Sequence, residues 1–308
     1  MGEPLAGALH RALDRLAMAA EGGRPRAAVA FRPGPAGPLD VGRPLAAPEP
    51  PGAPGTWRFP APAWGGPSGD AVEVRLFAAR GARRGTALLV PPWKNAAPAL
   101  HLSWIRSLAA CGLEVWYLVP PLHLGRAPPG VRSGEAYVSP DLPRFGAALA
   151  ETAREIRALA AAAARRGPVG LLGLSLGGLA AAHALPGTGL AFAALVAPPV
   201  DLAALFAGTP IGARYRRLAE RAGGPFPAGA VLQAALAPFA PAGRPDEGTR
   251  LLVAAGEHDV IVPPEGPARL ARAWGLEPRL FRRGHVTLVA ACPALRAEVA
   301  ALAREAIR

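Results

Sequence analysis

The residue with the clearest chemical potential is Ser175, in a Gly-x-Ser-x-Gly run over residues 173–177. The apolar residues 168–171 before it predict a buried strand, and residues 179–185 after it predict a helix. A serine on a sharp strand-to-helix turn is a nucleophile elbow, and glycines on either side leave room for the tight turn. The pattern therefore predicts a nucleophilic Ser175 hydroxyl held above a sheet.

A serine hydroxyl is a poor nucleophile at neutral pH and needs a base within hydrogen-bond reach. The chain contains six histidines. His285 follows the last predicted strand, where a loop can overhang the sheet edge, and we expect it to be the base. His123 also lies in a loop after a strand and stays open as an alternative. The others lie on predicted helices or beside a candidate acid: His10, His101, His183 and His258.

The imidazole in turn needs a carboxylate that holds its tautomer and stabilises its cation. Asp259 comes just after the apolar segment 250–255, which predicts a buried strand. Asp201 follows the preceding predicted strand in the same manner, and Glu257 lies in the same loop as Asp259, so both stay open as alternatives. The favoured order along the chain, nucleophile then acid then histidine, is that of one hydrolase fold.

Acyl chemistry also needs two backbone N–H groups aimed at the oxygen that becomes negative. Leu176, directly after the nucleophile, is the expected first donor. The second is expected from the loop 91–95, where two prolines leave Trp93 as the first residue with an N–H. Lys94 in this loop is the only lysine of the chain, and its ammonium is a candidate to bind a substrate carboxylate or phosphate. A plain surface lysine is the alternative.

A regular alternation of strands and helices must position these residues. Residues 70–77 alternate apolar and polar side chains and predict a half-exposed strand. The apolar segments that predict buried strands follow, separated by helical segments: 86–90, 113–119, 168–171, 191–196, 250–255 and 279–281. This pattern predicts an α/β fold with a mostly parallel sheet and helices on both faces.

The N-terminal part differs from the rest in composition. Residues 4–20 predict a helix, and the Pro- and Gly-rich residues 22–68 predict an extended arm over the surface. Trp57, Phe59 and Trp64 are expected to pin this arm to the core.

We therefore divide the chain into an N-terminal helix and arm, residues 1–69, and a main domain, residues 70–308. Residues 198–249 interrupt the alternation with Pro, Gly and short helical patterns between two core strands. An insertion above the carboxyl ends of the strands is where a cap over a site would lie. Residues 121–139 form a second long loop on the same side.

The 121–139 loop is unusually polar. We consider His123 and Arg126 in this loop as candidates for substrate contact. The alternative for Arg126 is a structural arginine that binds backbone carbonyls and orders the loop.

The formal net charge of +12 raises the question of a nucleic-acid partner. We discount this partner because the arginines are scattered, base-stacking aromatics are few and no nucleic-acid motif is present. Of 34 basic residues only Lys94 is lysine, a bias that with 37 Gly and 37 Pro indicates codon usage rather than a binding surface. The expected partner is a small-molecule acyl substrate.

The sequence predicts neither a membrane span nor a secretory signal. No apolar run reaches the ~18 residues that a span needs, and the first helix is amphipathic rather than a basic start followed by an apolar block. We therefore expect a cytoplasmic protein. Cys111 and Cys292 stand far apart and outside metal-like spacing, which predicts buried free thiols. No metal or organic cofactor is implied, and the oligomeric state stays open.

From about Asp70 to the C-terminus the chain resembles an α/β-hydrolase. The resemblance rests on the elbow 173–178, the acid loop 256–264 and the histidine loop 284–285. It implies an eight-stranded, mostly parallel sheet and a Ser-Asp-His triad.

Two loops resemble narrower groups. Residues 121–128 are similar to a Pro-x-Tyr-x-x-Arg-x-Pro loop of a largely uncharacterised branch of the superfamily, with His123 in place of the tyrosine. Residues 90–95 resemble polyhydroxyalkanoate synthases, whose nucleophile is a cysteine where this chain has Ser175. Both likenesses imply that the 91–95 loop lies beside the site. The His-Gly pair that many lipases and esterases carry in this loop is missing.

Together these features predict a serine hydrolase that cleaves a carboxylic ester or related acyl compound through an acyl-enzyme. An acyltransferase on the same triad is the first alternative, since an alcohol or thiol can replace water in a dry, capped pocket. A non-enzymatic binding protein on the same fold is the second, because a fold alone does not define a function.

Overall fold

The computed structural model describes residues 3–20, 28–34, 37–42, 45–61, 71–95 and 97–308. The strands of the described part are β1 (Gly55–Pro60), β2 (Ala71–Phe77), β3 (Gly85–Val90), β4 (Leu113–Val119), β5 (Val169–Leu174), β6 (Phe192–Val196), β7 (Arg250–Gly256) and β8 (Arg279–Phe281). The α-helices are α1 (Glu3–Ala20), α2 (Leu102–Ala109), α3 (Leu142–Ala164), α4 (Leu176–Ala184), α5 (Leu202–Gly208), α6 (Pro210–Arg221), α7 (Gly229–Leu236), α8 (Glu265–Ala273), α9 (His285–Ala291) and α10 (Pro293–Ala306). Short 3-10 turns lie at Pro98–His101, Leu124–Arg126 and Ala237–Phe239.

The eight strands form one sheet in the order β1-β2-β4-β3-β5-β6-β7-β8. The pairings of β1 with β2 and of β2 with β4 are antiparallel, and all the others are parallel. Every residue of β3, β5 and β6 is buried, which explains their continuous apolar sequences. The carboxyl ends of the parallel strands share one edge, so the loops that follow β3, β5, β6 and β7 meet there.

Alternating side chains of the central strands face two helical layers. Leu171 belongs to the core that includes α3, α4 and α8, whereas the next residue, Leu172, belongs to the core that includes α2, α9 and α10. Helices therefore cover both faces of the sheet, which confirms the predicted α/β architecture. Cys111 and Cys292 are buried and free, as predicted.

The predicted N-terminal arm contributes a strand to the sheet. Residues 55–60 form β1, which pairs with β2 in register Trp57 with Val74 and Phe59 with Val72. The burial of Trp57 and Phe59 agrees with their predicted role as anchors. Trp64 lies outside the described residues.

The prediction of an extended arm over the surface for 22–68 is therefore wrong for residues 55–60, which form an edge strand of the sheet. Apolar Trp57 and Phe59 alternate with polar Thr56 and Arg58, which is the period of a strand with one buried face. The many prolines and glycines around this short run concealed the signal.

The insertion 198–249 consists of the three helices α5, α6 and α7 and the turn Ala237–Phe239, between β6 and β7. Asp201 begins α5 by accepting a hydrogen bond from Ala204 N at 2.9 Å. Thr209 and Pro210 begin α6, with the Thr209 hydroxyl accepting from Gly212 N. Among the described helices, none by itself has the length and apolar composition to span a membrane, although α9 and α10, bent by 52° at their junction, meet that test as a pair.

Candidate active site

Ser175 lies on the turn between β5 and α4. Its backbone has φ +51° and ψ −117°, a conformation that L-residues rarely adopt, so the turn is strained as in a nucleophile elbow. A Cβ on Gly177 would lie 2.3 Å from the carbonyl oxygen of Val90, so only glycine lets the first turn of α4 approach β3 this closely. The strain and the close packing hold the hydroxyl above the carboxyl edge of the sheet.

His285 reaches the serine from the loop after β8. It is the first residue of α9, and its Nε2 lies 2.9 Å from Ser175 Oγ, within hydrogen-bond distance. Both side chains are largely buried, with Ser175 7% exposed. The nucleophile and the base predicted from the sequence are therefore in contact.

Asp259 lies on the other side of the imidazole. Its Oδ2 is 2.7 Å from His285 Nδ1, and its Oδ1 accepts from the backbone N–H groups of Ile261 at 2.9 Å and Val262 at 2.7 Å. These two N–H groups fix the carboxylate, which in turn directs Nε2 of the ring towards Ser175.

The surroundings of His285 set its proton affinity. Burial by itself lowers the pKa of His285, but the charge and hydrogen bond of Asp259 and the charge of Asp14 outweigh it, so this pKa lies above its usual value. The imidazolium that forms when the ring takes up a proton is therefore stabilised.

The two alternative acids are engaged elsewhere. Asp201 caps α5 and pairs with Arg269. Glu257 lies 3.7 Å from Arg282 and is partly exposed. The structure thus brings Asp259, and neither of these carboxylates, onto His285.

The alternative base His123 is fully buried, and its Nδ1 donates to the carbonyl of Pro121 at 2.9 Å. Two further histidines have structural partners: His183 Nε2 bonds the Phe239 carbonyl at 3.0 Å, and His101 Nδ1 lies 3.3 Å from the Tyr117 hydroxyl. Burial lowers the pKa of His101 and of His123 to about 4, so both rings are neutral at physiological pH.

Leu176 and Trp93, the two expected N–H donors, both line the cavity that Ser175 faces. Leu176 is the first residue of α4, so its N–H has no acceptor within the helix. Trp93 lies in the loop after β3, and its indole Nε1 donates to the Gly134 carbonyl at 2.7 Å, which anchors this loop to the 121–139 loop. Lys94 follows with φ +57° and places its Nζ 4.7 Å from the centre of the Trp93 ring.

A cavity of about 380 Å³ opens onto the Ser175 hydroxyl. It is lined by Ser175, His285, Leu176, Trp93 and Lys94, together with a larger apolar group. That group comes from α1, the 91–101 region, the end of the 121–139 loop, α3, the insertion, the loop after β7 and α9. It includes Met18, Leu100, Val138, Phe145, Leu202, Leu205, Phe206, Ile211, Ile261, Val286 and Val289. The insertion thus contributes a wall of the cavity, and the lining favours an apolar ligand with one polar end.

The substrate candidates His123 and Arg126 are not among the described residues that line this cavity. Arg126 is buried, donating to both oxygens of Glu155 at 2.9 and 2.7 Å and to the Val119 carbonyl at 2.8 Å. This position fits the alternative prediction of a structural arginine. Burial raises the pKa of Glu155 to about 7, against the effect of the Arg126 charge.

Sequence reasoning missed Asp14, which lies on α1 and accepts from His285 N at 2.8 Å and Val286 N at 2.9 Å. No spacing pattern links this residue to the histidine loop, because 271 positions separate it from His285. Among all the residues that the structure describes, no group of three or more His, Cys, Asp or Glu side chains is arranged to hold a metal ion.

The strand order, the elbow and the position of the acid and histidine loops define the α/β-hydrolase fold. Comparison with solved structures also identifies the α/β-hydrolase fold. A serine hydrolase without lid from Xanthomonas campestris matches 85% of this chain and 97% of its own, with a TM-score of 0.52 and 14% identity. An esterase from Pyrobaculum calidifontis matches 83% of this chain and 86% of its own, with a TM-score of 0.53 and 17% identity.

A thermophilic carboxylesterase cloned from a metagenomic library has a TM-score of 0.53 and 18% identity, over 85% of this chain and 92% of its own. No protein-family model matches the sequence, and no curated protein does. At such identities the similarity confirms the predicted fold, and the activity has to be argued from the site.

Proposed function

We propose that the protein is a serine hydrolase that cleaves a carboxylic ester or related acyl compound. The observation that carries this proposal is the continuous hydrogen-bonded path from Asp259 through His285 to Ser175 at the floor of an apolar cavity. A structural polar cluster has no need of a strained serine that faces a cavity. The esterase and carboxylesterase among the solved structures with this fold agree with the proposal.

In the first half of the reaction Ser175 Oγ forms a bond to the substrate carbonyl carbon while His285 Nε2 takes the hydroxyl proton. Asp259 stabilises the resulting imidazolium through Nδ1–H. The tetrahedral intermediate then expels the alcohol, which receives the proton from Nε2 as the carbon–oxygen bond breaks. An acyl-enzyme on Ser175 remains.

In the second half, water attacks the acyl carbon and gives a proton to His285 Nε2. The intermediate collapses, Ser175 Oγ recovers the proton and the carboxylic acid leaves. The backbone N–H groups of Leu176 and Trp93 are proposed to bind the negative oxygen in both intermediates. A bound oxyanion at this place is favoured by the N-terminal end of α4 as well.

The cavity indicates the type of substrate. Apolar side chains from α1, the insertion and α9 dominate its lining, so the acyl or alcohol part of the ester is expected to be apolar. Lys94 also lines this cavity, and we propose that its Nζ contacts a polar or anionic group of the substrate.

Acyl transfer remains the second candidate function. The observation that favours it is the apolar cavity with a wall of insertion helices, because exclusion of water lets an acceptor alcohol compete for the acyl-enzyme. Incubation with a p-nitrophenyl ester and a graded concentration of butanol separates the two functions. A hydrolase yields mainly free acid, and a transferase yields mainly butyl ester.

Covalent labelling by a fluorophosphonate tests the proposal directly. The wild-type protein should be labelled at Ser175, and Ser175→Ala should abolish labelling while the circular dichroism spectrum stays unchanged. A folded wild-type protein that resists labelling and hydrolyses none of a series of p-nitrophenyl esters would instead be a binding protein with this fold.

A further inference from the structure

The carboxylate of Asp14 is the feature of the site that the triad does not explain. Asp14 lies in the middle of α1 and is 0% exposed, although charged side chains are rarely buried without a partner. Its Oδ2 accepts from His285 N at 2.8 Å, and its Oδ1 accepts from Val286 N at 2.9 Å. Both oxygens therefore bind the backbone at the residue that carries the proposed base.

These contacts replace a helix cap that the local sequence lacks. α9 begins after Gly284, which has no side chain to accept from the first N–H groups of the helix. Asp14 supplies the acceptor from a distant helix. A Cβ on Gly284 would lie 2.7 Å from Asp14 Oδ2, so glycine at this position gives the carboxylate its access.

Further contacts keep α1 on the histidine loop. His10, one turn before Asp14, has its Nδ1 3.0 Å from the Thr287 hydroxyl. Asp14 Oδ2 also lies 3.4 Å from Val260 N, in the loop that carries Asp259. One carboxylate therefore contacts both the base loop and the acid loop.

The charges around Asp14 define its electrostatic role. The titratable groups that face it are His285, Asp259 and His10, and His10 in turn faces His258 and Arg283. Burial raises the pKa of Asp14, and the hydrogen bonds from Val286 and His285 oppose this shift. The negative charge of Asp14 adds to that of Asp259 in raising the pKa of His285.

We propose that Asp14 is a positioning residue, which fixes the backbone of His285 so that its ring stays between Ser175 and Asp259. The N-terminal helix α1 would then help to position the proposed base and would not be only a covering of the surface. This inference rests on the proposed function only for its effect on rate, because the position and proton affinity of the imidazole can be measured without a reaction.

The test compares Asp14→Asn and Asp14→Ala with Asp246→Asn. Asp246 is the control because it also accepts two backbone N–H groups, from Gly187 at 2.8 Å and Gly189 at 2.7 Å, in exposed contacts. It is not among the described residues that line the cavity. The pKa of His285 is followed by proton NMR titration, with its signal assigned by its loss in His285→Gln. Rates of fluorophosphonate labelling and of p-nitrophenyl butyrate hydrolysis are measured as a function of pH.

Removal of the Asp14 charge should lower the pKa of His285, so the acidic limb of kcat/KM should move to lower pH in both variants. In Asp14→Ala two buried N–H groups lose their acceptor, and kcat should fall roughly ten- to hundredfold through misplacement of the ring, with KM little changed. Asp14→Asn keeps one acceptor oxygen and should lose less. Asp246→Asn should move neither quantity.

The inference is overturned if the His285 imidazole of folded Asp14→Ala keeps both its wild-type NMR chemical shifts and its wild-type pKa, whatever the melting temperature of the variant. A lower melting temperature alone would describe a purely structural carboxylate. Absence of labelling in the wild-type protein would overturn the proposed function instead, and the NMR titration would still decide the role of Asp14.

Discussion

Two buried polar clusters of this molecule each contain a histidine, but the two histidines have different hydrogen-bond partners. The site cluster consists of Ser175, His285, Asp259 and Asp14. The loop cluster consists of His123, Arg126 and Glu155. In the site cluster His285 Nε2 bonds a serine hydroxyl that lines the cavity. In the loop cluster the hydrogen bonds are directed at backbone carbonyls and at a carboxylate inside the fold.

The difference shows why residue types alone could not distinguish a candidate catalytic histidine from a structural one. Both histidines follow a strand, and both clusters contain a charged partner. Burial lowers the pKa of His123 to about 4, whereas the charges facing His285 raise its pKa despite burial. A base needs a carboxylate on one nitrogen and a hydroxyl on the other, and only the environment of His285 provides this pair among the described histidines.

The largest effects are expected from the site cluster. Ser175→Ala and His285→Ala should each lower kcat by roughly 10⁴- to 10⁶-fold, and the double variant should be no slower than either one, because the two side chains act as a unit. Hydrolysis of p-nitrophenyl butyrate checks this result, with circular dichroism as the control for folding. Losses that multiply in the double variant would mean that the two residues act separately.

The next largest effect separates two carboxylates. In Asp259→Asn the new amide would face His285 Nδ1 and favour the tautomer that places a proton against Ser175, so kcat should fall by roughly 10⁴-fold. Asp201→Asn should stay close to wild type, because Asp201 contacts Ala204 N and Arg269. The reverse outcome in the same assay would transfer the role of the acid to Asp201.

The loop cluster should respond in stability rather than in turnover. Arg126→Met leaves the Glu155 carboxylate buried without its partner, which should cost about 3–5 kcal/mol of the free energy of unfolding. The double variant Arg126→Met with Glu155→Leu should recover most of that loss, since an apolar pair of similar size has no charge to bury. Urea denaturation measures both variants.

Kinetics of the folded Arg126→Met protein complete this comparison. Its kcat and KM should resemble those of the wild type, because Arg126 is not among the described residues that line the cavity. A several-fold higher KM with unchanged stability would place Arg126 at the substrate after all.

The sequence could predict what depends on local spacing. The sheet, its helices and the elbow follow from apolar periodicity and from two glycines around one serine, and the structure confirms the α/β-hydrolase fold. Asp259 and His285 were accessible to the same reasoning because residues after parallel strands share one edge of a sheet. Their contact with Ser175 depends on that topology.

Other features depend on contacts that spacing does not encode. Asp14 is buried on α1, while Leu5 and Leu9 on the same helix are exposed, the opposite of the usual amphipathic arrangement. A sequence pattern therefore places Asp14 on the solvent face. The hydrogen-bond partners that make its burial possible are backbone N–H groups of α9. Every residue except proline has such a group, so the amino-acid types of α9 do not indicate that Asp14 binds there.

The smallest expected effect concerns the wall that the insertion contributes to the cavity. Ile211 of α6 lines the cavity, whereas Val231 of α7 belongs to the same insertion and is exposed. Ile211→Ala should raise the ratio of kcat/KM for long over short p-nitrophenyl acyl esters by roughly tenfold, because each added methylene of a substrate gains an apolar space. Val231→Ala should leave that ratio unchanged. The same chain-length profile in both variants would show that the acyl group lies elsewhere, and the insertion would then have no part in substrate selection.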